Sequence, residues 1–475
     1  MKRIFICSLF ILFAIQKIVV LSGCANIVPP AGGPRDSIPP LLLKAEPGDS
    51  SLNFKGNKVT FTFDEFVDVQ NVSENLLASP LPVNPPLVDF KLKTVTLKLK
   101  DSLEPNTTYT FNFGNAIRDF TEGNPIKDFS YTFSTGAYLD SLQLSGKVVL
   151  AETGKIDTTL IVMLHTNSDD SAVVKEKPRY IARLDSKGSF SFNNLPAKKF
   201  YLYALKDEGG SRRYFGEKQL FAFADKPVEL KAKNDSMVLY AYASKNLPPP
   251  PTIPAAGNIT IGRKTTGGTA DKRLKFTNNL VNGQQDLLSE FYLSFDTPLR
   301  SFDSNKIKLF TDSSFTPDKG YRFEKDSTNR KIVLTQEWKE NTLYHIILQK
   351  DFAEDSTGKK LLKDDTLSFK TKKLSEYGSL KMKFKNLDMS KNPVLIFILG
   401  SEANQKSFPL SGPDFSQTLF LPGEYDIRIL YDTNKNGSWD PGQFFGKHLQ
   451  PEIAKPIERK INIKPGWQNE FDIAL

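Results

Sequence analysis

Val59-Thr60-Phe61-Thr62-Phe63-Asp64 places Val59, Phe61 and Phe63 on one face and the two threonines on the other, the period of a half-buried strand that ends as Asp64 leaves the sheet. Working outward, Val95-Thr96-Leu97-Lys98-Leu99-Lys100 alternates in the same way, as does Tyr109-Thr110-Phe111-Asn112-Phe113 after the turn Glu104-Pro105-Asn106. A further strand, Phe129-Ser130-Tyr131-Thr132-Phe133, runs into Ser134-Thr135-Gly136. Several short strands within about a hundred residues predict a β-sandwich. The whole chain suits that reading: 36 Phe and 15 Tyr stand beside 30 Pro and 29 Gly, a mixture of strand formers and tight turns. At 475 residues three or four compact units are expected, all-β, and 39% hydrophobic residues exclude disorder over most of the length.

The order of landmarks returns later. Phe63-Asp64 is echoed by Phe295-Asp296 within Tyr292-Leu293-Ser294-Phe295. Asn106-Thr107-Thr108-Tyr109, 42 residues after Asp64, is echoed by Asn341-Thr342-Leu343-Tyr344, 45 after Asp296. The closing strands then follow at Phe133 and Phe369, where Leu367-Ser368-Phe369-Lys370-Thr371 mirrors Tyr131-Thr132-Phe133-Ser134-Thr135. These spacings predict two copies of one domain, A. A second pair, B, fills the rest. Gly188-Ser189-Phe190-Ser191-Phe192-Asn193-Asn194-Leu195-Pro196 leads into Phe200 to Asp207, and Phe415 to Leu421-Pro422-Gly423-Glu424-Tyr425 leads into Asp426 to Asp432. Each reads as strand, Leu-Pro corner, strand, then Asp at a turn. The expected order is A-B-A-B, with A at 40–137 and 271–375 and B at 138–245 and 376–475. Leu247-Pro248-Pro249-Pro250-Pro251 marks a stiff linker over 246–270.

The N-terminus assigns a compartment. Lys2 and Arg3 precede apolar stretches Ile4–Ile15 and Ile18–Leu21, ending at Leu21-Ser22-Gly23-Cys24, the parts of a secretory signal peptide over 1–23. Lys17 leaves fewer than the roughly twenty unbroken apolar residues that a membrane-spanning helix needs. Residues 24–39, rich in Pro and Gly, read as a tether. Cys7 and Cys24 are the only cysteines, so later domains have no disulfide or thiolate metal site. The formal charge of +9 falls to +6 once Lys2, Arg3 and Lys17 leave with the signal, and no block of like charge forms a nucleic-acid arm.

Leu21-Ser22-Gly23-Cys24 resembles the bacterial lipobox, which implies that Cys24 becomes the first mature residue and carries acyl chains such as palmitate. Ala25 in place of Asp after the Cys resembles outer-membrane lipoproteins, and the lack of an acidic cluster there favours the periplasmic face. Residues 40–137, with Phe63-Asp64-Glu65 and Asn106-Thr107-Thr108-Tyr109, resemble the bacterial Ig-like domain of the S-layer-protein type, common in envelope lipoproteins of Bacteroidota. Residues 271–375 resemble a divergent copy. The B units resemble carboxypeptidase-regulatory-like or transthyretin-like β-sandwiches through Gly-Ser-Phe-Ser-Phe-Asn-Asn-Leu-Pro and Leu-Pro-Gly-Glu-Tyr. Such modules are widespread and fix no single function.

One loop carries a ligand pattern. In Asp432-Thr433-Asn434-Lys435-Asn436-Gly437-Ser438-Trp439-Asp440, the side chains of Asp432, Asn434, Asn436 and Asp440 and the carbonyl of Ser438 fall at positions 1, 3, 5, 9 and 7 of a calcium loop, with Gly437 at 6. Position 12 is Gln443 and not the bidentate Glu, so a calcium site here is a weak one, on the order of 10⁻⁴–10⁻³ M. The competing reading is a polar hairpin turn on Asn436-Gly437. Asp207 to Arg212 in the first B unit lacks the spacing, and no site is expected there.

Catalysis finds no footing. His165, His345 and His448 fall in three different domains, and Asp119 and Asp355 read as loop formers. Lys91, Lys93, Lys98 and Lys100 read as a solvated sheet face guarding an edge. The expectation is a non-enzymatic, lipid-anchored envelope protein, a structural or protein-binding scaffold accessory to an outer-membrane assembly, with no cofactor required. A glycan-binding surface protein is the alternative, with Trp338, Trp439 and Trp467 as platform candidates.

Overall fold

The computed structural model describes residues 35–231, 234–244 and 273–475. The segments expected to be a signal peptide at 1–23, the tether up to residue 34 with Cys24, and the linker at 246–270 lie outside the described residues. The chain is a tandem of β-sandwiches, and two four-residue turns, Val72–Asn75 and Ala172–Lys175, are the α-helical elements among the described residues. Two compact units form.

The first unit runs to Gln143 and takes in Arg179–Ile181 and Asn193–Lys198. One sheet orders Leu42–Glu46, Lys58–Phe63, Thr94–Lys98 and Leu87–Lys91 from edge to edge, and the facing sheet orders Leu77–Ser79, Thr108–Asn112 and Ser130–Ser134. Alternation fixes what lies between them: Val59, Phe61 and Phe63 are fully buried, as are Val95 and Leu97 on the neighbouring strand. Phe61 meets Tyr131 and Phe113 edge-on at 5.1 and 5.7 Å, the geometry aromatic quadrupoles favour. Lys91, Lys93, Lys98 and Lys100 are exposed, Lys91 on an edge strand. A short ladder, Val67–Val69 against Ile117–Asp119, closes one end.

The second unit holds Leu144–Pro178, Ala182–Phe192 and Lys199–Leu475. Its Ig-like sandwich repeats the strands of the first and adds two short ones, Gln284–Gln285 and Thr316–Pro317. Phe276–Asn278, Phe291–Phe295, Lys331–Thr335 and Arg322–Lys325 form one sheet; Gln284–Gln285, Asp365–Thr371, Leu343–Leu348, Ile307–Thr311 and Thr316–Pro317 form the other. Leu299–Phe302 pairs with Ala353–Asp355 at the same end. The repeat reaches single atoms. Asn106 and Asn341 both take left-handed backbone, φ 48° and 51°, a conformation asparagine tolerates. The hydroxyls of Thr135 and Thr371 each donate to the turn before it, to Glu104 O at 2.6 Å and Lys339 O at 2.5 Å, and accept from Thr107 N and Thr342 N.

The two B sandwiches share their own plan. In each, the first strand pairs in parallel with the last: Leu142–Leu150 with Met237–Ala241, and Gly378–Lys385 with Gln468–Ala474. The inner strands of the second sheets are Leu160–His165 with Lys199–Lys206, and Pro393–Leu399 with Gly423–Tyr431.

Within this unit the loop between Tyr431 and Ile453 packs onto the first B sandwich. The Phe444 ring, 4% exposed, lies among Tyr203, Phe221 and Phe223 at 5.6, 5.3 and 5.0 Å. Gln450 Nε2 donates to Phe223 O at 3.0 Å, His448 Nε2 lies 2.7 Å from Asp170, and Ala454 N donates to Ala151 O at 2.8 Å. Gly154, at φ 66°, lets the backbones close, since a Cβ there would sit 2.2 Å from Pro456 Cδ.

Candidate functional site

The Asp432 loop begins where the inner strand Gly423–Tyr431 leaves its sheet. Asp432 is 1% exposed, and its carboxylate accepts from Lys435 N and Gly437 N, both at 2.7 Å, which winds the loop around it. Gly437 takes φ 77°, as the turn requires. Asn434 Oδ1 accepts from Asn436 N at 3.0 Å, and Asn436 Oδ1 accepts from Ser438 N at 2.7 Å. The amide nitrogens of Asn434 and Asn436 both donate to Asp440 Oδ2, at 2.7 and 2.6 Å. All five proposed ligands are thus gathered in one loop.

Glu452, twelve residues beyond Asp440, is the member the calcium spacing missed. It is 6% exposed, with Oε1 accepting from Thr433 N and Oγ1 at 2.6 and 2.7 Å and Oε2 from Asp440 N at 3.1 Å. Its carbonyl takes the indole N–H of Trp439 at 2.6 Å. Gln443, at position 12, instead pairs its backbone with Leu449 at 2.8 Å in both directions. As the amides are turned, N–H groups face Asp440 where a cation needs oxygens. The network fixes that orientation, since each Oδ1 accepts from a backbone N–H, of Asn436 and of Ser438, and an interchange would set N–H against N–H. The loop is thus a self-satisfied turn, and among the described residues no group of three His, Cys, Asp or Glu is placed to hold a metal ion.

Buried acids hold the ends of both Ig-like sandwiches. Asp119, 2% exposed, accepts from Glu122 N, Gly123 N and Asn124 N at 2.6–2.8 Å. Asp355, equally buried, accepts from Thr357 N, Lys359 N and the hydroxyls of Thr357 and Thr297 at 2.8–2.9 Å. Burial raises the pKa of each, but these donors outweigh it, lowering Asp119 and bringing Asp355 down to about 2. Asp207, in the first B sandwich, accepts only weakly, from Arg212 N at 3.1 Å and Ser211 Oγ at 3.4 Å.

His165 and His448 both border the aromatic cluster of Tyr203 and Phe444, whereas His345 lies in the second Ig-like sandwich. His165, 2% exposed, stands edge-on to Tyr203, and burial drives its pKa down to about 4 against a smaller opposing pull from Glu176. His345 stacks on Phe315 at 4.2 Å and shares a 2.7 Å bond with Ser368. Of the tryptophans, Trp439 is 5% exposed and Trp338 packs on Tyr344 and Phe369, whereas Trp467 stands 64% exposed beside Lys464.

No curated protein matches the chain. Among solved structures, native alpha-2-macroglobulin from Escherichia coli, spanning domains MG0-NIE-MG1, is 12% identical over 39% of this chain and 72% of that one, at TM-score 0.20. The Bacillus anthracis TIE protein is 10% identical over 94% and 76%, at 0.18, and the major pilin subunit BcpA of Bacillus cereus is 9% identical over 70% and 99%, at 0.16. Likenesses at these scores carry no argument about function. Residues 36–135 match the family described as the bacterial Ig-like domain, and the sandwich of the first unit is similar to the domains of that family.

Proposed function

We propose that the protein is a non-catalytic, lipid-anchored scaffold of the bacterial envelope, held at the periplasmic face of the outer membrane through Cys24 and binding other envelope proteins. The observation that carries this reading is that the buried acids at the sandwich ends are spent on architecture. Asp119, Asp355, Asp432 and Glu452 each hold a loop through backbone N–H donors. Tandem sandwiches joined in this way offer edge strands and end loops for protein contact. Affinity purification of the native protein is expected to recover a stable envelope partner. Its failure, together with binding on a glycan array that is lost in Trp467→Ala, would favour the glycan reading, because Trp467 is the exposed ring of the three. Protease resistance in intact cells, lost when the outer membrane is permeabilised, tests the face.

The spacing of Asp432, Asn434, Asn436, Ser438 and Asp440 supports a second reading of the same loop, a weak calcium site that would have to displace the bonds from Asn434 and Asn436 to Asp440. At millimolar calcium a site of 10⁻⁴ M would stabilise the fold by about 1.4 kcal/mol and raise Tm by a few degrees. An unchanged Tm would leave the loop as a hydrogen-bonded turn.

A further inference from the structure

The internal repeat allows the two Ig-like sandwiches to be compared position by position at the end closed by the short ladder. In the first, Phe120 N donates to Phe66 O; in the second, Ser356 N donates to Pro298 O. Val67 N reaches Leu92 O, and Leu299 N reaches Asn329 O. Phe63 N bonds Lys93 O, as Phe295 N bonds Arg330 O. Leu42 faces Phe63 as Phe276 faces Phe295, so Leu41 corresponds to Lys275. The backbone is the same, yet Leu41, Phe66, Leu92 and Phe120 stand where the copy has Lys275, Pro298, Asn329 and Ser356.

These four side chains are unspent on the core. Leu41 is 64% exposed, Phe66 53%, Leu92 64% and Phe120 70%. Continuing the ladder register places Phe66 opposite Phe120, so their rings share one side of it. Leu92 adopts φ 55°, where Asn329 takes φ 53°, a conformation that asparagine accepts more readily than leucine. Exposed apolar side chains gathered at one loop end mark a contact surface.

The course of the chain names what covers it. Arg35, the first described residue, donates to Glu122 O, and Asn124 donates to Asp36 O, so the tether arrives on the very loop that begins with Phe120. Cys24 lies eleven residues before Arg35, a reach of at most roughly 40 Å fully extended. We propose that the end of the first Ig-like sandwich bearing Leu41, Phe66, Leu92 and Phe120 rests in the lipid surface that holds the anchor. This rests on the lipid-anchor reading above. The second copy, lying far along the chain from Cys24, has polar tips because it meets water. Lys93, whose Nζ donates to Asp64 O and lies 5.8 Å from the Phe66 ring, is placed to set its charge at the headgroup level.

The test uses the chain from residue 24 with Cys24→Ser and an N-terminal polyhistidine tag, captured on phosphatidylcholine vesicles containing nickel-chelating lipid, with and without brominated acyl chains. The emission that Phe120→Trp adds to that of the three native tryptophans, read as the difference from the parent chain, is expected to lie at shorter wavelength and fall by about half on brominated vesicles, as for a ring buried at the acyl boundary. Val83→Trp, at the opposite end of the same sandwich beside Asn84 and Asp101, is expected to lose none. Adding Leu41→Asp and Phe66→Asp should abolish the quenching at residue 120. Equal quenching at both positions, none at residue 120, or a self-associated dimer that shields it would overturn the contact. The mass of the N-terminal peptide of the native protein reports acylation separately, so an unmodified Cys24 would sink the anchor reading without touching the vesicle result.

Discussion

Asp355 shows how one residue can hold a loop. Its carboxylate, little exposed, accepts from two backbone N–H groups and two hydroxyls. Asp355→Ala leaves those backbone donors unpaired, and a loss of about 2–4 kcal/mol is expected by urea unfolding. The sign with pH follows from the depressed value. The carboxylate's contribution is complete above the unfolded pKa near 4 and is lost as pH falls through about 2. His165 acts in a higher window: its folded pKa of about 4 lies below the ordinary 6.5, so the unfolded chain binds the extra proton between them. Stability of the second unit should therefore fall as pH drops from 6.5 to 4, and His165→Gln should flatten that slope in a pH series of melts. At this scale much was legible. Asp119 and Asp355 could be read as loop formers because they recur at one place in a repeat, whereas Trp439, a platform candidate by sequence, is buried. Glu452 could not be read, because its role is to meet Thr433 and Asp440 across a loop whose path no local pattern specifies.

The element that sequence periodicity could not place is the loop from Asp432 to Glu452. Strands announce themselves by alternation, so Lys58–Phe63 and its repeat Phe291–Phe295 were readable with their buried faces. A loop has no period. Phe444-Phe445, set between Pro441-Gly442 and Gly446, was the available signal, since a buried aromatic pair in turn chemistry needs a socket elsewhere. Its socket is built from residues more than two hundred positions earlier. Phe444→Ala should cost about 3 kcal/mol, the usual size for emptying a fully packed aromatic site, seen as a lower urea midpoint for the second unit. Gly154→Val should be comparably harmful for a different reason, combining a left-handed backbone with a clash on Pro456.

At the scale of the molecule, the A-B-A-B order is linear in sequence, but the second unit does not keep to it in space. The first B sandwich meets the last one directly, through Phe444, Gln450 and the Ala454–Ala151 bond, although an Ig-like sandwich lies between them in the chain. If a protease site is placed in the 246–270 linker and cut, the two halves are expected to travel together on gel filtration. Phe444→Asp should release them, because a charge in that aromatic socket has no partner. The repeats could be counted from spacing, whereas this pairing could not, since contact between non-adjacent modules depends on surfaces and leaves no mark in periodicity.

That pairing also decides where tension travels. A pull between the first B sandwich and the C-terminus has two routes, the covalent one through the second Ig-like sandwich and the shorter one across the Phe444 socket. While the socket holds, load can cross it directly; once Phe444 slips out, all of it passes through the Ig-like sandwich, so Phe444→Ala should change the order in which the domains yield in a single-molecule pull.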